Sequence, residues 1–223
     1  MARRMQQLEL RPRTWGGRRD GAGRKLAAGR RAVPHRPRIP HQRHCPAHVT
    51  LRASSTVRSL RIGRPLVATR SALAAASTQC FRVLHYSIQA DHLHLVIEAD
   101  GPIEFERGVR GLAIRVAKAV NRVLGRRGQV WADRYHARLL RTPREVRNAL
   151  VYVLNNFRKH IRGSRGLDPC SSARWFGGWR SGPARVVEAP PIALPSTWLA
   201  RVGWRRWGLI DVDECPRAAA GKP

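Results

Sequence analysis

Phe81-Arg82-Val83-Leu84-His85-Tyr86-Ser87-Ile88, then Gln89-Ala90-Asp91, then His92-Leu93-His94-Leu95-Val96-Ile97-Glu98 is the stretch whose reading decides the fold. Its two outer pieces are rich in β-forming residues and a short polar link joins them, which predicts an antiparallel hairpin. Residues two apart on a strand share a face. His92 and His94 therefore project to one side, with Leu93 and Leu95 on the other. Two imidazoles converging on one side of a sheet can hold a divalent metal and leave coordination positions open for substrate. A pair of surface histidines is the plainer reading of the same pattern, and His-x-His alone does not choose between them.

Upstream, His48-Val49-Thr50-Leu51-Arg52 alternates and reads as a strand, and Leu66 to Ala76 reads as a helix. Downstream, Pro102 opens a long helix with Ile103, Phe105, Val109, Leu112, Val116, Val120 and Val123 three or four apart, ended by Gly125 to Gly128. Val130 to Leu140 reads as a fourth strand. Thr142-Pro143-Arg144-Glu145 is a helix start, with Thr as N-cap, Pro at the first helical position and Glu145 placed to close a capping box. That helix carries Val146, Leu150, Val153 and Leu154 inward and runs to about Ile161. Strand, helix, two strands, helix, strand, helix predicts an α+β domain with helices packed on an antiparallel sheet.

The chain has three tyrosines, Tyr86, Tyr135 and Tyr152. Tyr152 lies mid-helix and Asn156 follows one turn later, so their side chains share a flank. If that helix crosses the sheet, it brings a phenol and an amide oxygen to the histidine pair. A core tyrosine with its hydroxyl at the surface would occupy the same position. Tyr135, in Arg134-Tyr135-His136, is the rival nucleophile, and alternation leaves its direction open. His85 and His136 are either extra ligands or ordinary strand histidines. Asp91 and Glu98 are near enough in sequence to orient the pair as hydrogen-bond acceptors.

Composition narrows the partner. The 223 residues include 43 Lys+Arg against 14 Asp+Glu, a formal charge of +29. Such a field repels basic partners and concentrates polyanions, so nucleic acid is the expected partner. Lysine occurs only at Lys25, Lys118, Lys159 and Lys222, so arginine usage at ordinary surface positions contributes to the excess. Cys45, Cys80, Cys170 and Cys215 form no CxxC pair, which argues against a zinc ribbon and a disulfide-dense secreted domain. No apolar run approaches the roughly 20 residues of a membrane span. The Arg-rich N-terminus has no apolar h-region, and Gly and Pro from Trp15 to Pro46 would break a presequence helix. A soluble, cytoplasmic, nucleoid-associated protein is expected.

Three regions follow. Residues 1–47 read as a basic Gly/Pro/Arg-rich arm of low structure, able to track phosphates or simply be solvated. Residues 48–162 hold the periodic elements. Residues 163–223 form an Arg/Trp-rich extension in which Trp175, Trp179, Trp198, Trp204 and Trp207 either stack on unpaired bases or pack on the domain.

Residues 48 to 160 resemble the IS200-like transposase domain, the single-tyrosine HUH (His-hydrophobic-His) type, and within it the transposases associated with repetitive extragenic palindromes. The resemblance rests on Asp91-His92-Leu93-His94-Leu95-Val96-Ile97-Glu98, Trp131-Ala132-Asp133-Arg134-Tyr135-His136 and Leu150-Val151-Tyr152-Val153-Leu154-Asn155-Asn156 in that order. It implies a ferredoxin-like or RRM-like sheet, with His92 and His94 as ligands of Mg²⁺ or Mn²⁺ and Asn156 as the third. It also implies Tyr152 as a nucleophile that cuts and rejoins hairpin-forming single-stranded DNA through a 5′-phosphotyrosine. Many relatives place proline after the helix asparagine. Here Phe157 follows Asn156 and Asn155 precedes it, so the third ligand stands between the two asparagines, with the one-turn spacing from Tyr152 favouring Asn156. Monomer and homodimer, with the tyrosine acting in cis or in trans, both fit. A non-catalytic nucleic-acid-binding protein using the same sheet and basic arms is the alternative.

Overall fold

Alternating and 3.6-residue patterns resolve into strand β1 (Ala47–Arg52), helix α1 (Gly63–Ala74), strands β2 (Phe81–Ile88) and β3 (His92–Ala99), helix α2 (Pro102–Val123) and strand β4 (His136–Leu139). Helix α3 (Pro143–Asn155) and the short helices α4 (Phe157–His160) and α5 (Trp198–Arg201) follow. The computed structural model describes residues 40–160, 165–181 and 189–216, all within the unit Pro40–Pro223. Most of the expected N-terminal arm, the expected helix end at Ile161, and residues 182–188 and 217–223 of the extension lie outside the described residues.

The strands lie in the order β2-β3-β1-β4 and every neighbouring pair is antiparallel. A βαββαβ chain with this order is the ferredoxin-like arrangement, an α+β fold with helices packed on the sheet. The β2–β3 hairpin is closed by Gln89 N donating to His92 O at 2.8 Å. On one face Val49, Leu51, Val83, Tyr86, Leu93, Leu95 and Ile97 pack against Leu73 of α1 and Phe105, Val109, Leu112, Val116 and Val120 of α2. On the other, Leu84 and Val96 meet Val146, Leu150, Val153 and Leu154 of α3, with Ala173, Phe176, Trp204 and Ile210 from the C-terminal region. The register of β2 slips between Val83 and His85, so that Val83 faces Ile97 and His85 faces Val96. One extra residue there lets β2 feed Leu84 to the second core while Val83 and Tyr86 stay in the first.

Two expected elements are shorter than their patterns suggest. The strand foreseen over Val130 to Leu140 contracts to β4: the backbone at Val130 and Ala132 still pairs with Ser54 and Arg52, but residues 132–135 form no strand, while the Trp131 indole donates to Ala113 O of α2 at 2.9 Å. Trp131 keeps only an isolated bridge to Ala53. The helix from Pro143 ends at Asn155, with Asn156 as its C-cap, and the four-residue α4 resumes at Phe157. Its start follows the sequence: Thr142 Oγ1 accepts from Glu145 N at 3.2 Å, and the Glu145 carboxylate accepts from Thr142 N at 3.2 Å.

Residues 165–181 and 189–216 close over the α3 side and the edge of β2. Asp168, buried, takes a bidentate pair from Arg61 at 2.7 and 3.1 Å. Glu98, also buried, accepts from the backbone and hydroxyls of Ser196 and Thr197 at 2.6–3.0 Å. That carboxylate therefore ties down the C-terminal region and does not orient the histidine pair. Trp204 is buried, whereas Trp198 and Trp207 are about half exposed, with Arg206 and Arg144 lying over their rings.

Candidate active site

Strand periodicity puts His92, His94, Val96 and Glu98 of β3 on the α3 side of the sheet. Thr50 of β1 is the direct partner of His94, and His136 of β4 is the direct partner of Thr50. Directly opposed residues share a face, so Ser87, His94, Thr50 and His136 form one row across all four strands. Helix α3 runs over this face and delivers Tyr152 from its last turns.

The rings meet there. The His92 and His94 centroids are 4.6 Å apart and nearly perpendicular, and Tyr152 stands edge-on to His94 at 5.0 Å. His48, one pleat along β1, lies 5.3 Å from His94 and 5.5 Å from Tyr152. His94 is buried, and its Nδ1 lies 3.1 Å from Thr50 Oγ1 and 3.3 Å from His48 Nε2. His92 Nδ1 lies 2.6 Å from Asp91 Oδ1. An imidazole whose Nδ1 is held by a carboxylate or hydroxyl turns its Nε2 outward as a ligand atom, the arrangement that orients metal-binding histidines. Lys159 of α4 carries its ammonium 4.6 Å above the Tyr152 ring.

Burial sets the protonation of this cluster. It lowers the His48 pKa to about 4, with Arg138 acting in the same direction, so His48 is neutral near pH 7. Burial also raises the Tyr152 phenol above its ordinary value. For Asp91, burial would raise the pKa, but the His92 hydrogen bond and charge outweigh it and hold the carboxyl below the ordinary range.

The two asparagines differ in occupation. Asn155 donates from Nδ2 to the carbonyls of Asp211 and Glu214 at 3.3 and 2.9 Å, fastening α3 to the C-terminal region, while its Oδ1 lacks a hydrogen-bond partner among the described residues. Asn156 is fully buried, and both Nδ2 and Oδ1 lack a hydrogen-bond partner among the described residues. A buried amide without partners costs a few kcal/mol unless something else binds it. Hard divalent cations take amide oxygens together with imidazoles, so the donor chemistry of His92, His94 and Asn156 fits such an ion.

Tyr135 is separated from the cluster. It packs against the α2-side core, 6.2 Å from Phe105. His85 is hydrogen-bonded through Nδ1 to Ser172 Oγ at 3.1 Å and edges against Phe176, a packing role. His48, Thr50 and Lys159 also belong to the cluster, through contacts that the sequence alone does not specify. His48 and Thr50 alternate with the buried Ala47, Val49 and Leu51, which signals a shared face, but only the β1–β3 register sets them beside His94.

The fold and this cluster define a ferredoxin-like α+β protein with three histidines and a tyrosine gathered on one sheet face, and an unpartnered asparagine one turn beyond the tyrosine. No protein-family model matches the chain, and no curated protein does. Among solved structures it is similar to one described as a REP-associated tyrosine transposase bound to a REP hairpin. The identity is 17% and the TM-score 0.47, over 57% of this chain and 74% of that one.

Proposed function

We propose that this protein cleaves and rejoins single-stranded DNA, with Tyr152 as the nucleophile. The observation that carries this reading is the meeting of Tyr152 with His94 and His48, His92 standing against His94 on the same face, one turn before the unpartnered amide of Asn156.

His92, His94 and Asn156 are the residues that would hold Mg²⁺ or Mn²⁺. Bound there, the ion would polarise a phosphoryl oxygen and offset charge developing on it. The chain's own residues supply the rest. Asp91 fixes the His92 ring, and Thr50 with neutral His48 fixes the His94 ring. Lys159 sets a positive charge against the phenol ring, where it draws in the phosphate backbone. Attack forms a bond from Tyr152 Oη to phosphorus and breaks the bond from phosphorus to the 3′ oxygen. The phenolic proton leaves to solvent and the departing oxygen takes one up, giving a 5′-phosphotyrosine and a free 3′-OH. The covalent bond conserves the energy of the phosphodiester, so attack by another 3′-OH rejoins DNA without a nucleotide cofactor. Tyr152 and His94 meet within one chain, which supports action in cis and requires no homodimer. Hairpin-forming palindromic repeats are the substrates to test first.

A nucleic-acid-binding protein without cleavage is the second reading. Burial raises the Tyr152 phenol above its ordinary value, so attack needs its proton removed in the same step. Incubating the full chain with single-stranded palindromic DNA and Mn²⁺, then resolving products under denaturing conditions, separates the two. A covalent adduct that disappears in Tyr152→Phe supports the nucleophile. An adduct persisting in that variant removes Tyr152 from the role. Binding without any adduct across a broad hairpin library favours the second reading.

A further inference from the structure

We infer that the outer face of α2, across the sheet from Tyr152, is a second nucleic-acid surface that grips the phosphates of double-helical DNA.

Helix α2 buries Phe105, Val109, Leu112, Val116 and Val120 as one inward stripe. At 3.6 residues per turn, Arg107, Arg110, Arg115, Lys118 and Arg122 all fall on the opposite side, and all are exposed. From Arg107 to Arg122 the row is roughly 22 Å long at the helical rise. The only acidic residues of α2, Glu104 and Glu106, lie at its start.

What sets these cations apart from the general excess is their alignment along one rigid helix, without ion pairs among the described residues. The seven ion pairs among the described residues use Arg61, Arg82, His92, Arg138, Arg147 and Arg158, and none involves α2. A rigid helix that aligns five unneutralised cations repels itself and is complemented by a linear polyanion. The chemistry of the face selects the kind of polyanion. Its outward positions carry no aromatic ring, so there is no platform for stacking unpaired bases. Charge on a rigid rod suits the evenly spaced phosphates of a duplex, which position a protein without base readout. A side chain at Gly111, near the middle of the face, would meet nothing within 4 Å, so the backbone is open to close approach there. Ile103 and Ile114 are the large apolar side chains exposed on α2, about half exposed and some three turns apart, which is little to insert into a lipid surface.

This surface is independent of the Tyr152 chemistry, and its test uses no metal. The full chain is titrated by fluorescence anisotropy with a blunt DNA duplex of about two helical turns and with a dT oligomer, across a salt series. The variant R107Q/K118Q/R122Q keeps good helix formers on α2. A control, R180Q/R201Q/R205Q, removes the same charge from exposed arginines in the C-terminal region. Expected for the α2 variant is a duplex salt slope shallower by about 2–3, at about 0.9 per phosphate contact, and at least about tenfold weaker duplex binding at low salt. The dT affinity should change by less than about twofold, and the control should leave the duplex slope in place. An unchanged duplex slope, or an equal loss in the control, overturns the proposal. So does a preference of the native chain for anionic vesicles that the α2 variant abolishes while duplex binding persists. R110Q/R115Q provides a second α2 variant if the triple one does not fold. Loss of the Tyr152 adduct with duplex binding intact would sink the cleavage reading alone.

Discussion

Asn155 and Asn156 are adjacent, chemically identical and both buried, yet only Asn155 is tied to the C-terminal region. Asn155 satisfies Nδ2 with two carbonyls there and leaves Oδ1 without a partner among the described residues, while Asn156 satisfies neither amide atom. Removing a buried hydrogen-bonding partner leaves its carbonyls unpaired, at about 1–3 kcal/mol. Asn155→Ala should therefore lower the urea midpoint by that much. Asn156→Ala should leave the midpoint unchanged or raise it, since it removes a desolvated group that nothing binds. If Asn156 is a metal ligand, the same variant should raise the Mn²⁺ concentration needed for half-maximal adduct formation about 10–100-fold. A stability loss in Asn156→Ala equal to that of Asn155→Ala would count against the ligand role. Tyr152→Phe keeps the packed ring and removes only the attacking oxygen. Adduct formation should fall by at least about a thousandfold, with the denaturation midpoint nearly unmoved.

Helix α3 positions both groups, and its register is fixed at its first residue. The Thr142–Glu145 capping box satisfies backbone donors that would otherwise be unpaired, so Thr142→Ala should cost about 1 kcal/mol, read from chemical denaturation. Arg147 holds the middle of α3 through both oxygens of Glu214 at 2.7 and 2.8 Å, and Asn155 holds its end. The C-terminal region thus keeps the tyrosine helix in place over the sheet. On the opposite face α2 depends on a close approach: a Cβ at Gly108 would fall about 2.1 Å from the Phe81 ring. Gly108→Ala should destabilise by about 1–3 kcal/mol through overpacking, despite its better helix propensity. An increase in thermal midpoint for that variant would show that α2 shifts freely on the sheet.

Over the whole molecule, the sheet is covered on both faces, and polar groups caught between the layers make its stability depend on pH. Burial lowers the His85 pKa to about 4, below the ordinary 6.5, so the native state keeps this ring neutral while the unfolded chain would protonate it. The unfolded state then binds more protons, and stability falls as pH drops from about 6.5 through about 4. Denaturation midpoints should decline across that window, and His85→Phe should flatten the decline without altering the slope above pH 7. A variant profile parallel to the native one would assign the decline to other groups.

The elements were largely legible in the sequence because each is set locally. Alternation marked β1 to β3, the 3.6-residue stripe marked α2, and Thr142-Pro143-Arg144-Glu145 marked the start of α3. His92 and His94 could be assigned to one face for the same reason, since two-residue periodicity is a backbone property. What lay beyond the sequence depends on contacts between distant residues. The length of β4 is limited by the break in the strand over residues 132–135, and the separation of Tyr135 from the histidines follows from its packing beside Phe105. His48 and Thr50 joined the cluster only through the β1–β3 register. Glu98, a candidate to orient the pair, instead fastens Ser196 and Thr197. Between Asn155 and Asn156 the sequence offered spacing alone, and the tertiary structure added which amide the C-terminal region occupies. Local periodicity determines which face a side chain takes; only packing of distant segments decides what it meets there.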